Sequence, residues 1–244
     1  MLQKVIVQAL GKTEVRVDLL DQNKKATETD VNVSFENKIT NDVLYDYVHF
    51  IASNGKPELL KVDPVITYNI RVNTIPAVYK KNISLEGGKL NVIKIDVPQG
   101  FLDIKLPSYK EYKSLNAIIR KNGKTIHSYT LGKLPLKLLE GQYELELLTM
   151  PRVIKKIKIV AGETNTVTLP APGLLNVIEN TVGFGSIYKV SSSGRETWIY
   201  NFPKTYSGIS LAMQPGKYKV VFRSKNAFGA DYTSVKYFLS LIHI

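Results

Sequence analysis

The chain has 244 residues, 44% of them hydrophobic, which suffices for one large domain or two to three small ones with their own cores. It contains no cysteine, so disulfides, thiol nucleophiles and cysteine-ligated zinc or iron–sulfur centres are excluded. Lysine and arginine number 33 against 21 acidic residues, a net charge of +12; no run of 18 apolar residues could span a bilayer, and the first residues lack the pattern of a secretory signal.

In chain order, the first segment differs from the rest. Leu2, Val5, Ile6 and Ala9 fall at i, i+3, i+4 and i+7, with Gly11 at a capping position, so residues 1–10 are expected to form a short helix. Strands are then expected over 13–20, 31–37, 43–51, 58–62, 66–73, 78–84 and 90–97. A second set follows at 101–107, 115–121, 125–131, 134–138, 142–149, 152–160 and 164–169, with Asn122-Gly123 as a two-residue hairpin turn. A third set covers 174–180, 184–191, 195–202, 208–213, 217–223 and 231–238.

The three sets are copies of one pattern. Tyr68-Asn69-Ile70-Arg71-Val72, Tyr143-Glu144-Leu145-Glu146-Leu147 and Tyr218-Lys219-Val220-Val221-Phe222 each alternate apolar with mostly polar positions, and both intervals between the tyrosines are 75 residues. Gly141 and Gly216 stand two residues before their tyrosines. Thr74-Ile75-Pro76 and Thr149-Met150-Pro151 end the strand with a proline, whereas the third copy reads Ser224-Lys225-Asn226. Pro98-Gln99-Gly100 and Pro170-Ala171-Pro172-Gly173 mark junctions. The expected fold class is all-β: tandem small antiparallel β-sandwiches, Ig-like or carboxypeptidase-regulatory-like, over 11–99, 100–172 and 173–244. The third is expected to be truncated, because a glycine turn and closing strand should follow Phe238; residues 239–244 resemble translated adapter sequence and are expected to be non-native.

The lysines alternate along strands, as in residues 152–159, where charge on an outer face keeps a sheet soluble; no nucleic-acid module signature accompanies them. His49, His127 and His243 are far apart in sequence, and neither a nucleophile elbow nor a phosphate loop is present, so no catalytic residue, metal ligand or cofactor is assigned. Asp21, Glu28 and Asp30 share a polar stretch that lacks the spacing of a calcium loop and reads as a solvated turn. Trp198, the single tryptophan, reads first as a core residue of a sandwich; the alternative is a sugar-stacking platform completed by Tyr200 or Tyr188.

LQKVIVQALGKTEVRVDLLD, YNIRVNTIPAVYKKNISLEGGKLNVIKIDVPQG and MQPGKYKVVFRSKNAFGADYTSVKYF together resemble the C-terminal modules of bacterial proteins with a von Willebrand factor A domain, often called calcium-activated chloride channel homologues. The resemblance extends to Phe238 and implies that residues 1–10 are the last helical turns of that domain, which is itself absent, with its Asp-x-Ser-x-Ser metal motif. It implies a non-enzymatic interaction or spacer region at the cell surface or in the periplasm. The partner is then a protein or cell-surface component, or a carbohydrate if the aromatics are exposed; neither nucleic acid nor a membrane span is expected.

Overall fold

The computed structural model describes residues 13–106, 112, 114–131, 134–178, 182–203 and 208–240. The expected helix over 1–10 and residues 241–244 lie outside them. The described chain is nearly all-β. It divides into two compact units: Met1–Leu102 with Pro135–Gln142 and Lys158–Asn165, and Asp103–Leu134 with Tyr143–Ile157 and Thr166–Ile244. The division runs through the second repeat.

The first repeat supplies β1 (Thr13–Leu20), β2 (Val31–Asn37), β3 (Val43–His49), β4 (Leu59–Val62), β5 (Tyr68–Val72), β6 (Val78–Ile83) and β7 (Leu90–Asp96). They form two sheets, β4-β1-β7 and β3-β2-β5-β6. Alternation does the work expected of it: Val15, Val17 and Leu19 from β1, Val33 and Phe35 from β2, Tyr68, Ile70 and Val72 from β5, and Ile93 and Ile95 from β7 bury one face each into a shared core. Phe35 meets Tyr68 edge to face at 5.6 Å. In this repeat one pairing departs from the antiparallel expectation. β7 runs parallel to β1, from Glu14 opposite Leu90 to Leu20 opposite Asp96. β7 follows β6 by crossing from the other sheet, so no hairpin fixes its direction.

The second repeat supplies β8 (Gln99–Lys105), β9 (Asn116–Lys121), β10 (Lys124–Thr130), β11 (Leu136–Leu139), β12 (Gly141–Leu147), β13 (Val153–Ile159) and β14 (Thr164–Thr168), in sheets β11-β8-β14 and β10-β9-β12-β13. Asn122 and Gly123 both take positive φ, 51° and 74°, the conformation a two-residue turn between β9 and β10 demands.

The third repeat supplies β15 (Gly173–Ile178), β16 (Gly183–Val190), β17 (Glu196–Asn201), β18 (Gly208–Met213), β19 (Gly216–Ser224) and β20 (Ser234–Ser240), in sheets β15-β18 and β17-β16-β19-β20. Ile187, Met213, Tyr218 and Phe222 form its core, with Leu175 and Val177 of β15 packed against them. The strand expected over 231–238 starts later, because Ala230–Tyr232 is a 3-10 turn, and it continues through Leu239 and Ser240, opposite Lys217 and Gly216. Among the described residues the first sheet of this repeat has two strands where the other repeats have three.

Candidate functional site

The repeating tyrosines are anchors. The Tyr68 hydroxyl donates to the Asp63 carbonyl at 2.8 Å and the Tyr218 hydroxyl to the Gln214 carbonyl at 2.6 Å, a tyrosine bonded to backbone a few residues upstream as in Ig-like sandwiches. Burial pushes the phenol of Tyr143 up to about 12 and raises those of Tyr68 and Tyr218 further. None of the three faces solvent, so none can serve a ligand.

The Thr-x-Pro segments after two of these strands carry a second repeated device. In the first unit the Leu139 N–H donates to the Ile75 carbonyl at 2.8 Å, and Leu139 packs against the core of the first repeat. In the second unit the Gln214 N–H donates to the Met150 carbonyl at 2.7 Å, and Met150 packs against the core of the third repeat. Donors and acceptors alike are spaced by the 75-residue period. Thr74 and Thr149 brace the two segments, each donating its hydroxyl to the carbonyl of Pro76 or Pro151 at 2.7 Å across a cis peptide. The first joint adds the nearly buried Glu28, which accepts from Lys137 at 2.7 Å and from the Gln99 amide at 3.0 Å. At the second, the Gln214 amide donates to the Tyr112 hydroxyl.

The remaining sequence candidates separate. Trp198 is 56% exposed, which overturns the core reading. Tyr188 sits directly opposite it on β16, on the same outer face, while Tyr200 packs against the core. The grouping of Trp198 with Tyr200 therefore fails. Two residues apart on a regular strand, they would share a face; a bulge shifts the register from Ile187 opposite Tyr200 to Tyr188 opposite Trp198 and sends them to opposite sides.

Register extends this pair across the whole sheet. Lys219 on β19 lies opposite both Tyr188 and Tyr237, so Trp198, Tyr188, Lys219 and Tyr237 form one row across four strands. At a strand spacing of about 4.8 Å the row is roughly 14 Å long. The Lys219 ammonium stands 4.9 Å from the Tyr188 ring centroid and pairs with Glu196, whose carboxylate holds the amine above its ordinary range. The Lys217 ammonium lies 5.9 Å from the ring of Tyr237, itself 58% exposed. The Trp198 indole N–H donates to Asn201 at 2.8 Å, and Asn201 also accepts from the Ser186 hydroxyl at 2.7 Å, so the ring is held in place and its N–H is occupied. Tyr237 was not singled out from the sequence. The signal was available: two adjacent aromatics on a strand, Tyr237 and Phe238, must face opposite ways, and Phe238 stacks on Tyr218 in the core.

The other groups weighed for chemistry have structural roles. His49 is buried with its Nε2 2.9 Å from the Val17 carbonyl, and His127 stacks on Tyr129 at 5.5 Å. His243 lies outside the described residues. Asp21 accepts from the Asn23 and Lys25 amides and from the Thr27 hydroxyl, bonds that lower its pKa and close its own turn. Among the described residues no three His, Asp or Glu side chains are grouped to hold a metal ion, and no helix is long and apolar enough to cross a membrane.

No family model matches the chain, and no curated protein matches it in sequence. Among solved structures it is similar to the Bacillus anthracis TIE protein, with 13% identity and a TM-score of 0.28 over 94% of this chain and 48% of that one. It is also similar to the major pilin subunit BcpA of Bacillus cereus, at 9% identity, TM-score 0.24, 92% of this chain and 91% of that one. A third similarity is to an adhesin-like protein of Bacteroides ovatus, at 12% identity, TM-score 0.21, 98% of this chain and 88% of that one. The chain thus spans about half the length of the first of these.

Proposed function

We propose that this is a non-enzymatic interaction region whose repeats are joined by backbone clasps and whose third repeat presents a binding face. The observation that carries the reading is Trp198: an exposed, laterally fixed indole in a row with Tyr188, Lys219 and Tyr237. Leaving a large aromatic surface in water forgoes roughly 2 kcal/mol of burial, and an exposed aromatic row rimmed by charge is typical of contact surfaces. Within the same proposal, the region lies outside the cytoplasm and supports a von Willebrand factor A domain, a reading that rests on the resemblance to modules that follow such a domain. A second reading, carbohydrate binding, is favoured by one detail: with its N–H given to Asn201, Trp198 offers a partner only its ring face.

Trp198 is the single tryptophan, so its emission reports directly on occupancy of the face. Sedimentation with purified bacterial cell envelopes is expected to retain the full chain, and the double variant Trp198→Ala, Tyr237→Ala is expected to lose retention at least tenfold with an unchanged melting temperature. Undiminished retention of the variant would remove the basis for this reading.

A further inference from the structure

The ligand class follows from what surrounds the aromatic row, and the inference rests on the face being the binding surface. The outward positions of β19 are Lys217, Lys219, Val221 and Arg223, alternating with the buried Tyr218 and Phe222. Cations thus run along the central strand, with Phe184, Tyr188 and Trp198 on one side and Tyr237 on the other. Lys219 is neutralised by Glu196; Lys217 and Arg223 are exposed and make no ion pair among the described residues. We propose that this face binds acidic polysaccharide, pyranose rings lying on Trp198 and Tyr237 while sugar carboxylates meet Lys217 and Arg223.

The chemistry is complementary in two respects. A pyranose presents a flat patch of C–H groups to an aromatic ring face, the one surface Trp198 still offers, and its hydroxyls remain in water. A uronate repeats that apolar patch and a carboxylate along one chain, matching aromatic rails beside a cationic strand. A neutral glycan would leave Lys217, whose ammonium lies beside the Tyr237 ring, and Arg223 without a counter-charge. An acidic peptide would satisfy the cations but has no rigid planar C–H face for the indole. A single-stranded nucleic acid could stack, yet its continuous phosphate charge would pass Glu196, which stands opposite Val190 in the next register row and whose carboxylate pairs with Lys219. The pairing of rigid rings with unshared cations singles out the acidic sugar.

The test titrates the full chain with oligogalacturonate and reads Trp198 emission, with neutral β-glucan oligosaccharide, poly-L-glutamate and oligo(dT) as comparisons. Oligogalacturonate is expected to shift the emission and to bind at least tenfold more tightly than any of the three. Trp198→Ala, followed by calorimetry, and Lys217→Gln with Arg223→Gln should each weaken binding at least tenfold, and the wild-type affinity should fall as salt rises from 50 to 500 mM. Equal binding of poly-L-glutamate or oligo(dT) would overturn the proposal in favour of an unspecific polyanion site or a nucleic-acid surface. Equal binding of the neutral glucan overturns the acidic assignment and leaves the face as a carbohydrate site. If no glycan shifts the emission while envelopes still do, the ligand class is wrong and the face stands. Failure of both removes the face itself.

Discussion

At Tyr218 a single hydroxyl determines the geometry of a strand entry. Its bond to the Gln214 carbonyl folds the ring back over Gly216, where an added Cβ would come within 3.3 Å of the phenol oxygen, at a φ of 156°. Tyr218→Phe keeps the packing and strands the Gln214 carbonyl, so a loss of about 1–2 kcal/mol is expected, seen as a lower urea midpoint with an unchanged slope. Gly216→Ala should cost more, since it meets both the crowding and the positive φ. If the phenylalanine variant matches the wild type, the hydroxyl bond is not an anchor. Glu146 gives a pH signature. Its desolvation raises the pKa, but ion pairs with Arg152 at 2.7 Å and with Arg120 outweigh this and hold the carboxyl below its ordinary range. A depressed folded value means stability present above the unfolded pKa of about 4.3 and lost as the pH falls through the lower folded one. Glu146→Gln should therefore destabilise by about 2 kcal/mol at pH 7, and the gap should close in strong acid. A gap that stays constant from pH 7 to pH 2 would show that charge plays no part. The tyrosine strands were legible in the sequence because alternation and a 75-residue spacing survive without structure. The hydroxyl contacts were not, because nothing in a period-two pattern distinguishes a buried tyrosine from a buried phenylalanine.

At the scale of elements, what the sequence concealed was a bulge. Period-two reasoning puts Trp198 and Tyr200 on one face, and the extra residue between their registers separates them, so of the two tyrosines the sequence offers for the surface platform, Tyr188 stands beside Trp198 and Tyr200 does not. Turns read better. Asn122-Gly123 could be assigned because its conformation is local, as could the Thr-x-Pro stops, although their second use, accepting a bond from a strand end 64 residues later, depends on tertiary placement. That use is testable amide by amide. Thr149→Val removes the hydroxyl that braces Pro151 while nearly keeping side-chain shape, which frees the segment carrying the Met150 carbonyl. The Gln214 amide should then exchange at least tenfold faster, equivalent to about 1.4 kcal/mol, with the Leu139 amide unchanged; Thr74→Val should do the reverse. Uniform acceleration in both variants would mean general destabilisation, not a local clasp.

For the molecule as a whole, the three repeats differ most in how their first strands are flanked. β1 lies between β4 and β7, and β8 between β11 and β14, whereas β15 pairs with β18 alone among the described residues. A strand with one neighbour directs alternate N–H groups away from any ladder, and such an edge is open to pairing with another chain. Beside it, Gly173, Leu174, Leu175, Met213, Phe238, Leu239 and Ser240 line a cleft of about 210 Å³, so core side chains that a third strand would cover in the other repeats are partly accessible here. The third repeat should accordingly open more readily than the first. In hydrogen exchange of dilute protein, the amides of β15 are expected to alternate between slow and fast, and those of residues 14–16 of β1, which are paired with both β4 and β7, to be uniformly slow. Slow exchange along all of β15 would show that the edge is covered. Repeating the measurement over a hundredfold range of concentration then identifies the cover, because pairing between copies protects β15 only at the higher concentrations and a cover supplied within one chain protects it at all of them.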